Sequence, residues 1–158
     1  MTATLKGPWS RTQIDDFLTR TRWPLRLACN GSDGFPRVAS VWFRLQGDVL
    51  ECVSHRDSAV IRLLRRDPRA AFEVSPNEPP YFGVRGQVEA TLQPLGDSDA
   101  LDDLVLRYLG SERSRVGDWL LSRREEEMLI RLTPSRFFTW DYRERMADVK
   151  EDSGQRGN

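Results

Sequence analysis

Two periods of apolar residues alternate along the chain, and together they predict short helices set among β-strands. Ile14, Phe17 and Leu18 form one stripe within Ser10–Thr21, the spacing of an amphipathic helix. Ser10 and Gln13 match the pattern of a capping box at its start. Pro24 then opens a strand over Leu25–Cys29, and Asn30-Gly31-Ser32-Asp33-Gly34 is dense in turn-forming residues. A second strand is predicted over Arg37–Leu45, where Val41 and Phe43 alternate with Ser40, Trp42 and Arg44. Gly47-Asp48 turns the chain into a third at Val49–Ser54. The front half thus reads as a meander of hairpins.

The second half continues the mixture. Asp57–Arg66 reads as a helix with Val60, Leu63 and Leu64 on one face, stopped at Asp67-Pro68 because proline disfavours helix at the residue before it. Strands follow at Arg69–Ser75 and Tyr81–Leu92, the latter carrying Gly83 and Gly86, where a bend or close backbone approach is expected. Asp97–Leu109 is a helix with Leu101, Leu104, Val105 and Tyr108 inward, and Asp118–Glu127 is another. Met128–Thr133 and Arg136–Trp140 are the closing strands. From Glu144 the pattern is polar and aperiodic. About six strands with short helices between them fit a mainly β fold, a small closed barrel that removes its own sheet edges. The expected organisation is an N-terminal extension (1–9), one domain (10–145) and a disordered tail (146–158).

Composition narrows the function classes. With 24 Lys+Arg against 24 Asp+Glu the formal charge is zero, so no overall field recruits nucleic acid or anionic lipid. The lysines are Lys6 and Lys150, and the other cations are arginine. A Schiff-base lysine within the folded body is therefore excluded. Cys29 and Cys52 are expected as reduced, partly buried strand cysteines. There is no leader-like apolar run at the N-terminus and no stretch of membrane-spanning length, and a cytoplasmic protein is expected. No catalytic triad, phosphate loop, paired-carboxylate motif or metal-ligand cluster is present. No catalytic residue and no metal ligand is assigned on sequence.

The order of four segments carries a family resemblance: GFPRVASVWFRLQGDVLECVS, a helix ending LLRRDPRAAFEV, YFGVRGQVEATL and IRLTPSRFFTWDY. This resembles the flavin-binding split-barrel family, which includes pyridoxamine-phosphate oxidase, deazaflavin-dependent reductases and haem-handling relatives. The resemblance covers roughly residues 10–145 and is most specific between Gly34 and Leu92. It implies a split barrel, a homodimer holding FMN between its subunits, and oxidoreduction of a small or planar molecule. It also implies cofactor contacts at Arg37 on the second strand, Ser54 at the end of the third strand and Ser58 before the helix; Ser40, Trp42, Arg62 and Tyr81 are further candidates for cofactor contact. The family's helix-opening lysine falls on Val60, and the strand lysine of the oxidase proper falls on Trp42. Pyridoxamine-phosphate oxidase activity itself is therefore not implied. A deazaflavin, a haem or no cofactor at all stay open as alternatives, as does a non-catalytic binding role.

The residues also speak for themselves. Ser54-His55-Arg56-Asp57-Ser58 opens a helix, whose free N–H groups attract phosphate, with hydroxyls and Arg37 or Arg62 to add to it. Asp57 opposes this as a possible N-cap carboxylate. His55, the one histidine, suits a solvated turn, a haem ligand, an acid/base group or a flavin contact. Trp42, Tyr81, Phe82, Trp119 and Trp140 are candidates for a flat pocket or for ordinary packing. Arg62, Arg65 and Arg66 read as a solvated helix face, as does Arg123–Glu127.

Overall fold

A computed structural model describes residues 2–111 and 114–147. The expected tail lies, from residue 148 onward, outside the described residues. Eight strands form one sheet: β1 (Thr4–Lys6), β2 (Leu25–Asn30), β3 (Pro36–Val41), β4 (Arg44–Gln46), β5 (Val49–His55), β6 (Arg69–Val74), β7 (Phe82–Pro94) and β8 (Glu127–Asp141). Four helices accompany them: α1 (Arg11–Arg20), α2 (Ala59–Arg66), α3 (Ala100–Leu109) and α4 (Arg115–Ser122). The sheet runs β3-β2-β6-β7-β8-β5-β4, with β1 alongside β8. All pairings are antiparallel except β1 with β8. Only Trp42 and Phe43 separate β3 from β4, so the two ends of the path belong to one bent stretch of chain. The sheet closes on itself as a barrel.

The capping box predicted at α1 is present in full. Other boundaries moved, each for a physical reason. The single strand expected over Arg37–Leu45 breaks at Trp42-Phe43, where the barrel turns a corner and both Phe43 and Arg44 become buried. The two closing strands are one: β8 passes through Pro134 with a register shift where it pairs Gln87 and Val88, because a bulge absorbs the residue without ending the ladder. The helix expected over Asp118–Glu127 starts earlier and ends at Ser122. A 3-10 turn follows over Arg124–Glu126, and Glu127 is buried rather than solvated. Residues expected as an extension supply β1 and Trp9, which is buried in the core.

The barrel interior is filled by the alternate residues of its strands, among them Leu25, Leu27, Phe72, Val84, Ile130 and Phe137. Helix α1 closes it with Ile14 and Leu18, and α2 with Ile61 and Leu64. Cys29 and Cys52 point into this core as free thiols, buried more completely than expected. Burial raises both thiol pKa values above the ordinary range, so neither is a ready nucleophile. On the outer side, Ala100 and Leu101 of α3, with Leu95 in the loop before it, cover Leu129.

Charges lock the β4–β5 corner to α3. Arg44 donates Nε to Glu51 Oε2 at 2.9 Å and Nη2 to Asp99 at 2.9 Å, with Asp103 on Nη1. Arg131 reaches the other oxygen of Glu51. Burial opposes the Arg44 charge, but its hydrogen bonds to Asp99, Glu51 and Asp103 outweigh that and hold its pKa above the ordinary value. Arg107 of α3 caps the C-terminal end of α1, donating to the Leu18, Thr19 and Thr21 carbonyls.

Removing one member of a buried pair strands its partner. Glu51 is 2% exposed at its side chain, so Arg44→Met is expected to cost about 3–5 kcal/mol. The check is a lower urea midpoint with an unchanged slope. Asp141 gives a pH signature. The hydrogen bond from Arg143 lowers its pKa to about 2 against the opposing effect of burial, with help from Trp9 Nε1 at 3.1 Å. A lowered folded-state pKa stabilises above the unfolded value, and that contribution is lost as pH falls toward the folded one. The acid limb of the wild-type melting curve between about pH 4 and 2 should therefore be steeper than that of Asp141→Asn.

Candidate functional site

Helix α2 begins after a turn that uses its own polar groups. Ser58, and not Asp57, is the N-cap: its hydroxyl accepts from Ile61 N at 3.3 Å and receives the Ser54 hydroxyl at 2.8 Å. Ser54 and Ser58 thus hold each other and the helix end. His55 Nδ1 accepts from Asp57 N at 3.1 Å, and Nε2 stands 3.4 Å from Glu126. Opposite His55 in register is Glu127, whose carboxyl pKa is raised by burial.

Between α2 and the inward side of β3 lies a groove of about 370 Å³. Arg37, Arg62 and Arg66 stand on it, and Val38, Ala39, Val60 and Leu63 give it an apolar wall. The guanidinium groups differ in their freedom, and Arg66 is held on the Asn30 carbonyl at 2.6 Å. Arg37 is turned back into the β2–β3 hairpin, donating to Asp33 Oδ2 at 2.8 Å and to the Phe35 carbonyl at 3.0 Å. That contact lowers the Asp33 pKa. Arg62 donates to the Asp57 carbonyl at 2.7 Å and has no carboxylate within ion-pair distance among the described residues. The groove therefore combines an uncompensated cation, a second cation that a competing anion can recruit, the start of a helix and an apolar surface. This set fits a phosphate attached to a flat apolar ring.

The other expected contacts lie elsewhere. Ser40 is on the opposite face of β3, across from Arg26. Trp42 sits at the barrel corner, stacked on Tyr108 with ring centres 5.1 Å apart and planes at 4°. Tyr108 accepts from Phe43 N and donates to the Trp23 carbonyl. Tyr81 stands exposed on the rim of a separate groove that also holds Arg26, Arg85 and Trp140. Trp119 is exposed on α4. Sequence reasoning missed a cup of about 670 Å³ at the end of the barrel, walled by Trp9, Phe17, Trp23 and Phe82, with Arg143 4.4 Å over the Phe82 ring. Its members come from the stretch Trp9–Trp23 and from Phe82 and Arg143 far along the chain, so no local spacing signals it. Among the described residues no three His, Cys, Asp or Glu side chains gather as a metal site, and no helix is long and apolar enough to cross a membrane.

The Ser58 cap can be weighed directly. Ser58→Ala is expected to cost about 1 kcal/mol, read as a lowered thermal midpoint.

No protein-family model matches the sequence, and no curated protein does. Solved structures do. A conserved hypothetical protein from Mycobacterium tuberculosis aligns at a TM-score of 0.74 and 21% identity, over 92% of each chain. An F420 reductase aligns at 0.61 and 26% identity, over 77% of this chain and 94% of its own. HutZ, the heme storage protein from Vibrio cholerae, aligns at 0.62 and 19% identity, over 78% of this chain and 89% of its own.

Proposed function

The chain has the split-barrel fold found in pyridoxamine 5'-phosphate oxidase-like and flavin-binding proteins, and on that premise we propose that it is a flavin-dependent oxidoreductase acting on a small or planar molecule. The observation that carries this reading is the groove between β3 and α2, where Arg37 and Arg62 meet the first turn of the helix beside an apolar wall. FMN bound there would supply hydride transfer through its ring system. Arg62 would hold the phosphate, Arg37 would leave Asp33 to share it, and Val38, Ala39 and Val60 would exclude water from the near edge of the ring. A second copy of the chain would cover the far side, since one barrel this small leaves a planar cofactor open to solvent. A deazaflavin is the second reading, supported by the 26% identity with an F420 reductase.

The departure at Val60 limits phosphate affinity. Arg62→Ala should weaken FMN binding by about 1.5–3 kcal/mol, the range for a charged hydrogen bond. Arg37→Ala should matter less, because that guanidinium is already spent on Asp33. Val60→Lys should strengthen FMN binding by about 1.5 kcal/mol or more, with a gain that shrinks in salt and is absent for riboflavin. Fluorescence titration of the three variants with FMN, riboflavin and a deazaflavin measures all of this. FMN affinity unchanged in both Arg62→Ala and Val60→Lys overturns the site. A wild type that shows a Soret band and no flavin affinity overturns the function in favour of haem binding.

A further inference from the structure

The outer face of the sheet carries a second cluster of cations with no place in the cofactor groove. One row of register partners crosses the sheet: Lys6, Phe138, Arg85, Glu73, Arg26 and Ser40. Strand alternation puts these side chains on the side away from the barrel core. The α3 helix packs further along, at Leu129, and among the described residues it does not reach this row. A groove of about 760 Å³ runs over it, lined among the described residues by Lys6, Arg26 and Arg85 against a single carboxylate, Glu73.

Aromatic rings hold these cations in place. Lys6 Nζ lies 5.9 Å from the centre of the Phe138 ring, the Arg85 guanidinium 5.6 Å and the Arg136 guanidinium 5.5 Å. Arg85 also lies 5.8 Å from the Trp140 ring. An aromatic ring attracts such a head and leaves its charge intact. None of the three has a carboxylate within ion-pair distance among the described residues. The one acid in the groove accepts from the Ser75 hydroxyl at 2.8 Å. Arg26 adds an independent sign. Its Nη2 donates to Asn77 Oδ1, while its Nη1 is buried with no hydrogen-bond partner among the described residues. A buried charged donor without an acceptor is costly, and three like charges around one ring repel one another. A chain of zero formal charge does not collect them there as a by-product of a basic composition.

We infer that this groove binds a small, multiply charged oxyanion, with Arg26, Arg85 and Lys6 as its contacts. The common chemistry is two or more anionic oxygen groups close together, as in a phosphate ester or a polycarboxylate. An anion of that kind pairs with Lys6 and Arg85 beside Arg26 and relieves the repulsion around Phe138 in one step. The site stands independently of the flavin reading, since its residues and face differ from those of the groove beside α2.

The test is calorimetric titration of the full chain with pyrophosphate, citrate and acetate, in wild type, Arg85→Ala, Lys6→Gln and Arg62→Ala. Pyrophosphate or citrate should bind one per chain, more weakly as salt rises, and acetate should not bind. Pyrophosphate alone identifies a phosphate source, and citrate alone a polycarboxylate. Arg85→Ala should weaken binding roughly tenfold or more, Lys6→Gln should weaken it in the same direction in a chain that keeps both arginines, and Arg62→Ala should leave it within about twofold. The inference fails if neither polyanion binds, if acetate binds as well as they do, or if Arg62→Ala is the variant that loses binding.

Discussion

The chain passes from β3 to β4 in two residues, while the hydrogen-bonded ladder between those strands runs the whole way round through β2, β6, β7, β8 and β5. Both conditions hold only if the sheet curls until its ends meet. Phe43 makes the corner possible. Its ring is fully buried, its N–H donates to the Tyr108 hydroxyl, and the Arg107 guanidinium lies 4.9 Å over its face. Through Tyr108 and Arg107 the same corner is tied to Trp23 and to the C-terminal end of α1. Closure also decides where ligands can go. The inside of a barrel of this size is filled with side chains, so the grooves lie against its wall or at its ends.

The fixed corner imposes a second requirement, because it drives Arg44 into the protein beside Phe43. A buried guanidinium is tolerable only when its donors are met. Glu51, Asp99 and Asp103 do this from two different elements, and Arg131 completes the other side of Glu51. The result couples β4, β5, β8 and α3. It holds α3 over the outer surface at one end, and among the described residues the rest of that surface, from β3 across to β1, carries no covering helix.

Much of this was legible in the residues. Alternation located β2, β5, β6 and β7 to within a residue or two, and the segment order pointed to the split barrel before any contact was known. What local pattern could not show was how distant segments meet. Residues 1–9 carry no amphipathic signal, yet β1 is held by pairing with β8, and Trp9 by Thr139 and Asp141. The corner at Trp42-Phe43 interrupts alternation because the chain changes direction there, not because the sequence contains a turn residue. The site residues were legible as types and not as a constellation. Arg37 and Arg62 meet on one groove, Ser54 and Ser58 engage each other, and Ser40 and Tyr81 belong to the other side of the sheet. A parity of one residue along β3 separates Arg37 from Ser40 in this way.

The near absence of lysine connects the two cationic grooves. A guanidinium is planar and weakly hydrated, so it stacks flat on a ring and forks across two oxygens, which a compact ammonium group does not. On the outer face Arg85 and Arg136 lie over Phe138 alongside Lys6, and at the barrel end Arg143 lies over Phe82. On α2 the same preference shifts the charge along the helix. Val60 packs against the core and seals the wall of the groove, and the cation comes instead from Arg62, which is long enough to reach back to the Asp57 carbonyl at the helix start. An apolar residue in the first turn thus does not by itself empty the groove of positive charge, because the longer, swinging Arg62 side chain reaches the same helix start while Val60 closes the join between helix and barrel.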